Sequence, residues 1–245
     1  MARIKTVTGV RNHPVVSHEA WVKARVKFLK EEKKFTKLQA RLNERRRALP
    51  WEKIEKDYTF DATGGTRSLS DLFDGRGQLI VWHFMFGPDW KEGCSHCSCW
   101  ADTFNAVAVH LAARDTTMAA VSMAPLKKLQ AFRKRMGWSF PWVSGARTDF
   151  NYDFQASARP DELTKGKVLY NYRAIEPFSD QMHGCSAFVK DAKGAVYHTY
   201  STYARGVEAL NGVYHYLDIT AKGRDEDWAN GDTSHWIRLH DRYDK

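Results

Sequence analysis

Three of the four cysteines in this chain fall within six residues, in the run Cys94-Ser95-His96-Cys97-Ser98-Cys99-Trp100. Cys94 and Cys97 are separated by two residues, and a C-x-x-C between a buried strand and a helix reads as a redox dithiol. A cysteine attacks only as thiolate, and the unpaired N–H groups at a helix start stabilise that charge. Cys94 sits where this field is strongest. Cys97, three residues on and nearly one turn further, carries its sulfur to the same helix face. The pattern therefore assigns attack to Cys94 and resolution of the mixed disulfide to Cys97. His96, between them, can tune the couple by charge or hydrogen bonding. The competing reading of the pair is two buried, inert thiols.

The elements that must position this run are legible around it. Residues 79–86 (LIVWHFMF) are nearly all apolar, as expected of a central strand covered on both faces. The loop 87–93 breaks that strand and delivers the cysteines to a helix expected over 95–113, with Trp100, Phe104, Val107 and Leu111 on its apolar face. A second buried strand is expected at 116–123, a helix opened by Pro125 at 126–136, and a short strand at 138–144. Strand, helix, strand, helix implies parallel strands joined by crossovers, with helices on the faces of the sheet. Residues 149–174 show no period and are expected as a long loop. Two strands around the turn Asp191-Ala192-Lys193-Gly194 form a hairpin at one sheet edge, followed by a helix at 207–217. His83, Asp89 and Trp90 border the cysteine loop, His83 reading as a hydrogen-bonded core histidine. The aromatic residues between 138 and 216 line either a pocket for an apolar substrate or a core.

Upstream, residues 1–16 are an irregular lead-in, and Ser17 with Glu19 signals a helix start. Trp21, Phe28, Phe35, Leu42 and Leu49 recur every seven residues before Pro50 stops the helix. Glu31 and Arg45 interrupt the adjacent seam, which argues against an autonomous coiled coil. The stripe is expected to pack on its own domain or to form a homodimer. Between residues 19 and 49 there are eleven Lys or Arg against four Glu, so much of the net charge of +9 is local. Without a nucleic-acid motif this reads as a solvated helix face, the other reading being a scaffold that binds a partner or acidic surface through its basic helix. The division expected is a basic helical extension over 1–50, the α/β domain that carries the cysteine run over 51–220 and a polar tail over 221–245. The N-terminus lacks the apolar core of a signal peptide and no apolar run is long enough to span a bilayer, so a cytoplasmic location is expected. In a reducing compartment, four cysteines serve chemistry, metal binding or packing rather than a disulfide framework.

The order of Leu69-Ser70-Asp71-Leu72-Phe73, the apolar strand, Cys94-Ser95-His96-Cys97, the helix, the second strand and the closing hairpin resembles the thioredoxin-like superfamily, including its peroxiredoxin-like branch. More narrowly, residues 79–100 (LIVWHFMFGPDWKEGCSHCSCW), 135–143 (RMGWSFPWV), 149–154 (DFNYDF) and 198–206 (HTYSTYARG) are similar to the bacterial thioredoxin-like family called domain of unknown function 899. The resemblance covers residues 16–227. It implies an α/β thioredoxin-like fold, a central mixed sheet flanked by helices, with the dithiol at Cys94 and Cys97. Thioredoxins place a cis-proline before the strand facing the dithiol, whereas Met182-His183-Gly184-Cys185-Ser186 has no proline there.

Two hypotheses follow. The first is a thiol-disulfide oxidoreductase or thiol peroxidase-like enzyme acting on a disulfide or peroxide with an unidentified electron donor. Its catalytic residues are Cys94 and Cys97, supported by His96, Cys185, Trp90 and Trp100, with no cofactor. The second is a metal protein in which Cys94, Cys97, Cys99 and Cys185, with His96 or His183, hold zinc, copper(I) or an iron–sulfur cluster. Cys97 and Cys99 point to different sides of a helix, which opposes a single shared ion. Cys99 alone reads as a small buried hydrophobe, and Cys185 as either that or a third redox thiol.

Overall fold

The computed structural model describes residues 3–4, 13–226 and 234–243. The expected lead-in falls mostly outside them; within it, β1 (Arg3–Ile4) and β2 (His13–Pro14) pair antiparallel. Helix α1 (His18–Arg47) runs for 30 residues, about 45 Å at the usual rise. Ser17 Oγ accepts from the Ala20 N–H at 3.3 Å. Glu19 lies in the first turn and Arg45, Arg46 and Arg47 in the last, so both ends complement the helix dipole. None of its residues is buried, and Phe28 and Phe35 are 60% and 65% exposed. Its base rests on the domain through Arg46, whose guanidinium lies 4.7 Å from the centre of the Tyr200 ring.

The domain begins with β3 (Glu52–Lys53), β4 (Thr59–Ala62) and β5 (Gly65–Ser68), then a 3-10 turn (Asp71–Phe73) leads to β6 (Gln78–His83). After β6 come α2 (Ser95–Ala101), α3 (Phe104–Ala112), β7 (Thr116–Ser122), α4 (Leu126–Arg135) and β8 (Trp142–Ser144). The stretch expected as a loop holds two short helices, α5 (Phe150–Asp153) and α6 (Pro160–Thr164), and a small hairpin of β9 (Val168–Tyr170) and β10 (Arg173–Ile175). The long hairpin of β11 (Gly184–Lys190) and β12 (Val196–Tyr203) follows, then a 3-10 segment (Ala204–Leu210) and α7 (Gly212–Asp218).

Eight strands form one mixed sheet in the order β3-β12-β11-β6-β7-β8-β4-β5. β6 lies at its centre, parallel to β7 and antiparallel to β11. Alternate β6 side chains enter two different cores, which is why its sequence is almost wholly apolar. Leu79 and Val81 pack with Phe73, Phe150 and Phe188 on one face, and Trp82 packs with Trp100, Phe104 and Trp142 on the other. A parallel β6–helix–β7 crossover joined to an antiparallel β11–β12 hairpin and a closing helix is the thioredoxin-like fold.

Three expectations shift. The single helix over 95–113 is broken between α2 and α3, because Thr103 turns its hydroxyl back to the Trp100 carbonyl at 2.8 Å while Asp102 takes the Trp138 indole N–H at 2.8 Å. The helix over 207–217 is divided at Asn211, whose side chain caps α7 by accepting from the Val213 N–H at 3.0 Å. The β11–β12 hairpin is not outermost, since β3 pairs along β12.

Candidate active site

Cys94 is the residue that caps α2. Its backbone N–H donates to the Met85 carbonyl at 3.0 Å, and its carbonyl accepts from both the backbone N–H of Ser98 at 3.0 Å and the Ser98 hydroxyl at 2.9 Å. The loop after β6 is thereby tied to the helix start. Met85 N–H also points at the Cys97 sulfur, 3.5 Å away. Gly93 has no room for a side chain, since a Cβ there would lie 2.7 Å from the Phe84 ring. The approach to Cys94 is therefore fixed by the packing of the same strand that precedes it.

The two thiols are unequal. Cys94 is half-buried and its thiol is held well below the ordinary range, chiefly by hydrogen bonding from Cys97, with the His96 ring assisting against the cost of burial. Cys97 is buried, and burial together with the neighbouring Cys94 charge pushes it well above that range. His96 is raised by its contact with Cys94, so thiolate and imidazolium stabilise one another. His96 Nε2 lies 2.7 Å from Ser234 Oγ and its Nδ1 lies 3.4 Å from Ser95 Oγ, which orients the ring from both sides. One sulfur is thus favoured as thiolate while the other keeps its proton.

Cys94, His96 and Cys97 open into a cavity of about 520 Å³. Trp82 reaches it from the end of β6, Met85 from the loop that follows, and Trp100 from α2. The opposite wall is Tyr170, Phe178, His183, Val207 and Tyr214. Trp100 is locked by its indole N–H on the Val207 carbonyl at 2.9 Å and by stacking on Trp82. The Tyr170 hydroxyl donates to the His183 carbonyl at 2.8 Å and accepts from the Ala204 N–H at 2.9 Å. His183 stands before β11, where the resemblance expected a cis-proline, and burial lowers its pKa so that the ring stays neutral. The charged wall residues Arg205 and Glu208 are paired at 2.7 Å, and Glu208 also holds Arg224 at 2.8 Å. Ser234, Ile237 and Leu239 bring the C-terminal segment against this region, the last two inside the core of α2.

Of the residues singled out from sequence, Cys94, Cys97, His96, Trp100 and His183 share this cavity. Trp90 does not line it; its indole covers Gly87, and its carbonyl accepts from Lys128 at 2.8 Å. Cys185 pairs across strands with Trp82 but lines a separate apolar cavity of about 430 Å³ with Phe104, Met118 and Thr202. Burial pushes its thiol up to about 12. Cys99 faces Asn211, and burial pushes it up to about 11. Among the described residues no group of three His, Cys, Asp or Glu side chains is arranged to hold a metal ion. His83 belongs to the other face, its ring within 3.2 Å of Asn151 Oδ1 and 2.8 Å of Ser186 Oγ. Tyr170 and Tyr214 fall in the aromatic stretch between 138 and 216 that the sequence offered as pocket or core, without being named individually, and Ser234 was not singled out at all. They lie between 73 and 140 residues along the chain from the dithiol, too far for a local pattern to tie them to it.

The fold defines the class as thioredoxin-like. The chain belongs to the family described as bacterial protein of unknown function (DUF899), whose model matches residues 10–243. No curated protein matches it. Solved structures similar to it include a peroxidoxin, BcpB, from Mycobacterium tuberculosis, at 15% identity over 66% of this chain and 94% of that one, with a TM-score of 0.43. Another is the bacterioferritin comigratory protein of Xanthomonas campestris, at 14% identity over 67% of this chain and 92% of that one, TM-score 0.44. A hypothetical protein of Sinorhizobium meliloti matches at 14% identity over 76% of this chain and 90% of that one, TM-score 0.40. Among the described residues no helix is long and apolar enough to cross a membrane.

Proposed function

We propose that the protein is a thiol-based oxidoreductase in which Cys94 is the nucleophile and Cys97 the resolving thiol. The observation that carries this reading is the polarised pair: Cys94 opens to a cavity beside His96, and Cys97 lies behind it in the same helix turn. Attack by the Cys94 thiolate on a disulfide gives a mixed disulfide, and attack on a peroxide gives a sulfenic acid. In both cases Cys97 displaces the group on Cys94 and closes an intramolecular disulfide, and an external thiol donor restores the dithiol. His96 holds a proton next to the departing sulfur or oxygen. The test is alkylation of the reduced protein with iodoacetamide across pH, with mass mapping of the modified cysteine. Cys94 is expected to react selectively below about pH 8, where an ordinary thiol is mostly protonated. Absence of a reactive Cys94 thiolate in that range would refute the assignment.

A further inference from the structure

Resting on that reading, we propose that the substrate of the dithiol is a small, uncharged disulfide carrying an aromatic or branched apolar group, and not a disulfide within a polypeptide. Cys94 does not lie on an open face. Its sulfur meets a cavity of about 520 Å³, a size that takes a small organic molecule. The cavity is walled by Trp82, Trp100, Phe178 and Tyr214, and the charges of Arg205 and Arg224 are balanced by Glu208 and Asp218. Such walls favour an aromatic group, and since the His96 imidazolium beside the sulfur is already matched by the Cys94 thiolate, a free carboxylate or ammonium would lose hydration without gaining an unshared partner.

The backbone tells against a polypeptide. An extended chain that binds by strand addition needs free backbone groups at an exposed edge. Here the segment entering β11 already has a partner: Ala158 N–H donates to the Asp180 carbonyl at 3.0 Å and Met182 N–H to the Ala156 carbonyl at 2.9 Å. Three residues beyond Asp180, the His183 carbonyl is taken by the Tyr170 hydroxyl. On the other side Ser234 Oγ lies 2.7 Å from His96 Nε2. The path to Cys94 is shaped for a side group rather than a strand.

The chemistry balances within the site. Cys94 thiolate attacks one sulfur of R–S–S–R, the S–S bond breaks, and Cys94–S–S–R forms while the expelled R–S⁻ takes the proton of the His96 imidazolium. Cys97 then attacks the Cys94 sulfur and the second R–S⁻ leaves, taking up the proton that Cys97 releases. Two R–SH are produced, the substrate gains two electrons, and the protein dithiol becomes a disulfide.

The test is single-turnover oxidation of the reduced full-length protein by four probes: dibenzyl disulfide, bis(2-hydroxyethyl) disulfide, glutathione disulfide and the disulfides of insulin. Each rate is divided by that of the same probe with dithiothreitol, and closure of Cys94–Cys97 is read by mass mapping. Burial of one aromatic group is worth on the order of 10- to 100-fold in rate, so the benzyl probe should lead the other three by at least that factor. Phe178, 61% exposed at the rim, gives a variant that keeps its fold; in Phe178→Ala the benzyl-to-hydroxyethyl ratio should fall several-fold. Equal normalised rates, a faster reaction with insulin or glutathione disulfide, or an unchanged ratio in the variant would overturn the inference and leave the redox reading standing. Failure of every probe, and of diamide, to close the Cys94–Cys97 bond would refute the redox reading itself.

Discussion

Replacing Cys97 with alanine should raise the pH at which Cys94 ionises, because the Cys97 thiol is the leading cause of the low Cys94 value. A hydrogen bond to a charged group is worth about 1.5–3 kcal/mol. Below the range where Cys94 titrates, its thiolate fraction should therefore drop by about 10- to 150-fold in Cys97→Ala. Cys97→Ser keeps a donor on the same turn and should recover most of the loss. The assay is ultraviolet thiolate absorbance against pH. It is preferred to an alkylation rate because a more basic thiolate is also intrinsically more nucleophilic, which masks part of the change. Titration of Cys94 in the same pH range in Cys97→Ala and wild type would show that Cys97 is not the donor, and the polarised-pair argument would lose its basis.

Three further outcomes follow from the packing. Burial pushes His83 down to about 4 from 6.5. The unfolded chain takes up a proton that the folded ring refuses, so stability present above about 6.5 is lost as pH falls to about 4, on the order of 3 kcal/mol. Urea unfolding of wild type and His83→Gln across this range should show a shallower acid slope in the variant, and equal slopes would contradict the assignment. Gly184→Ala places a Cβ against the buried Tyr203 ring beside the site, and overpacking of this kind costs about 1–3 kcal/mol; an unchanged Tm would contradict it. Deleting residues 1–49 removes a helix that buries none of its own residues. The domain should keep its Tm and its dithiol reactivity, while sedimentation should show loss of self-association if the apolar stripe of α1 joins two copies.

The legible parts were those written in local signals. Ser17, Glu19 and the arginines at 45–47 bounded α1 because capping and dipole effects act within a turn. The central position of β6 could be read from its unbroken apolar run, and the place of Cys94 from the strand, loop and helix order around it. What the sequence concealed was tertiary. The break after α2 depends on Thr103 and on Asp102 meeting Trp138, 36 residues away. Cys185 looked like a neighbour of the dithiol, yet it faces a different cavity behind Trp82. Ser234, which orients His96 across 138 residues, carries no pattern of its own.

The most direct test of the central claim is peptide mapping of the protein after one equivalent of mild oxidant per dithiol. The account predicts a single Cys94–Cys97 disulfide, with Cys99 and Cys185 recovered as free thiols. A disulfide involving Cys99 or Cys185, or four unreacted cysteines, would contradict it.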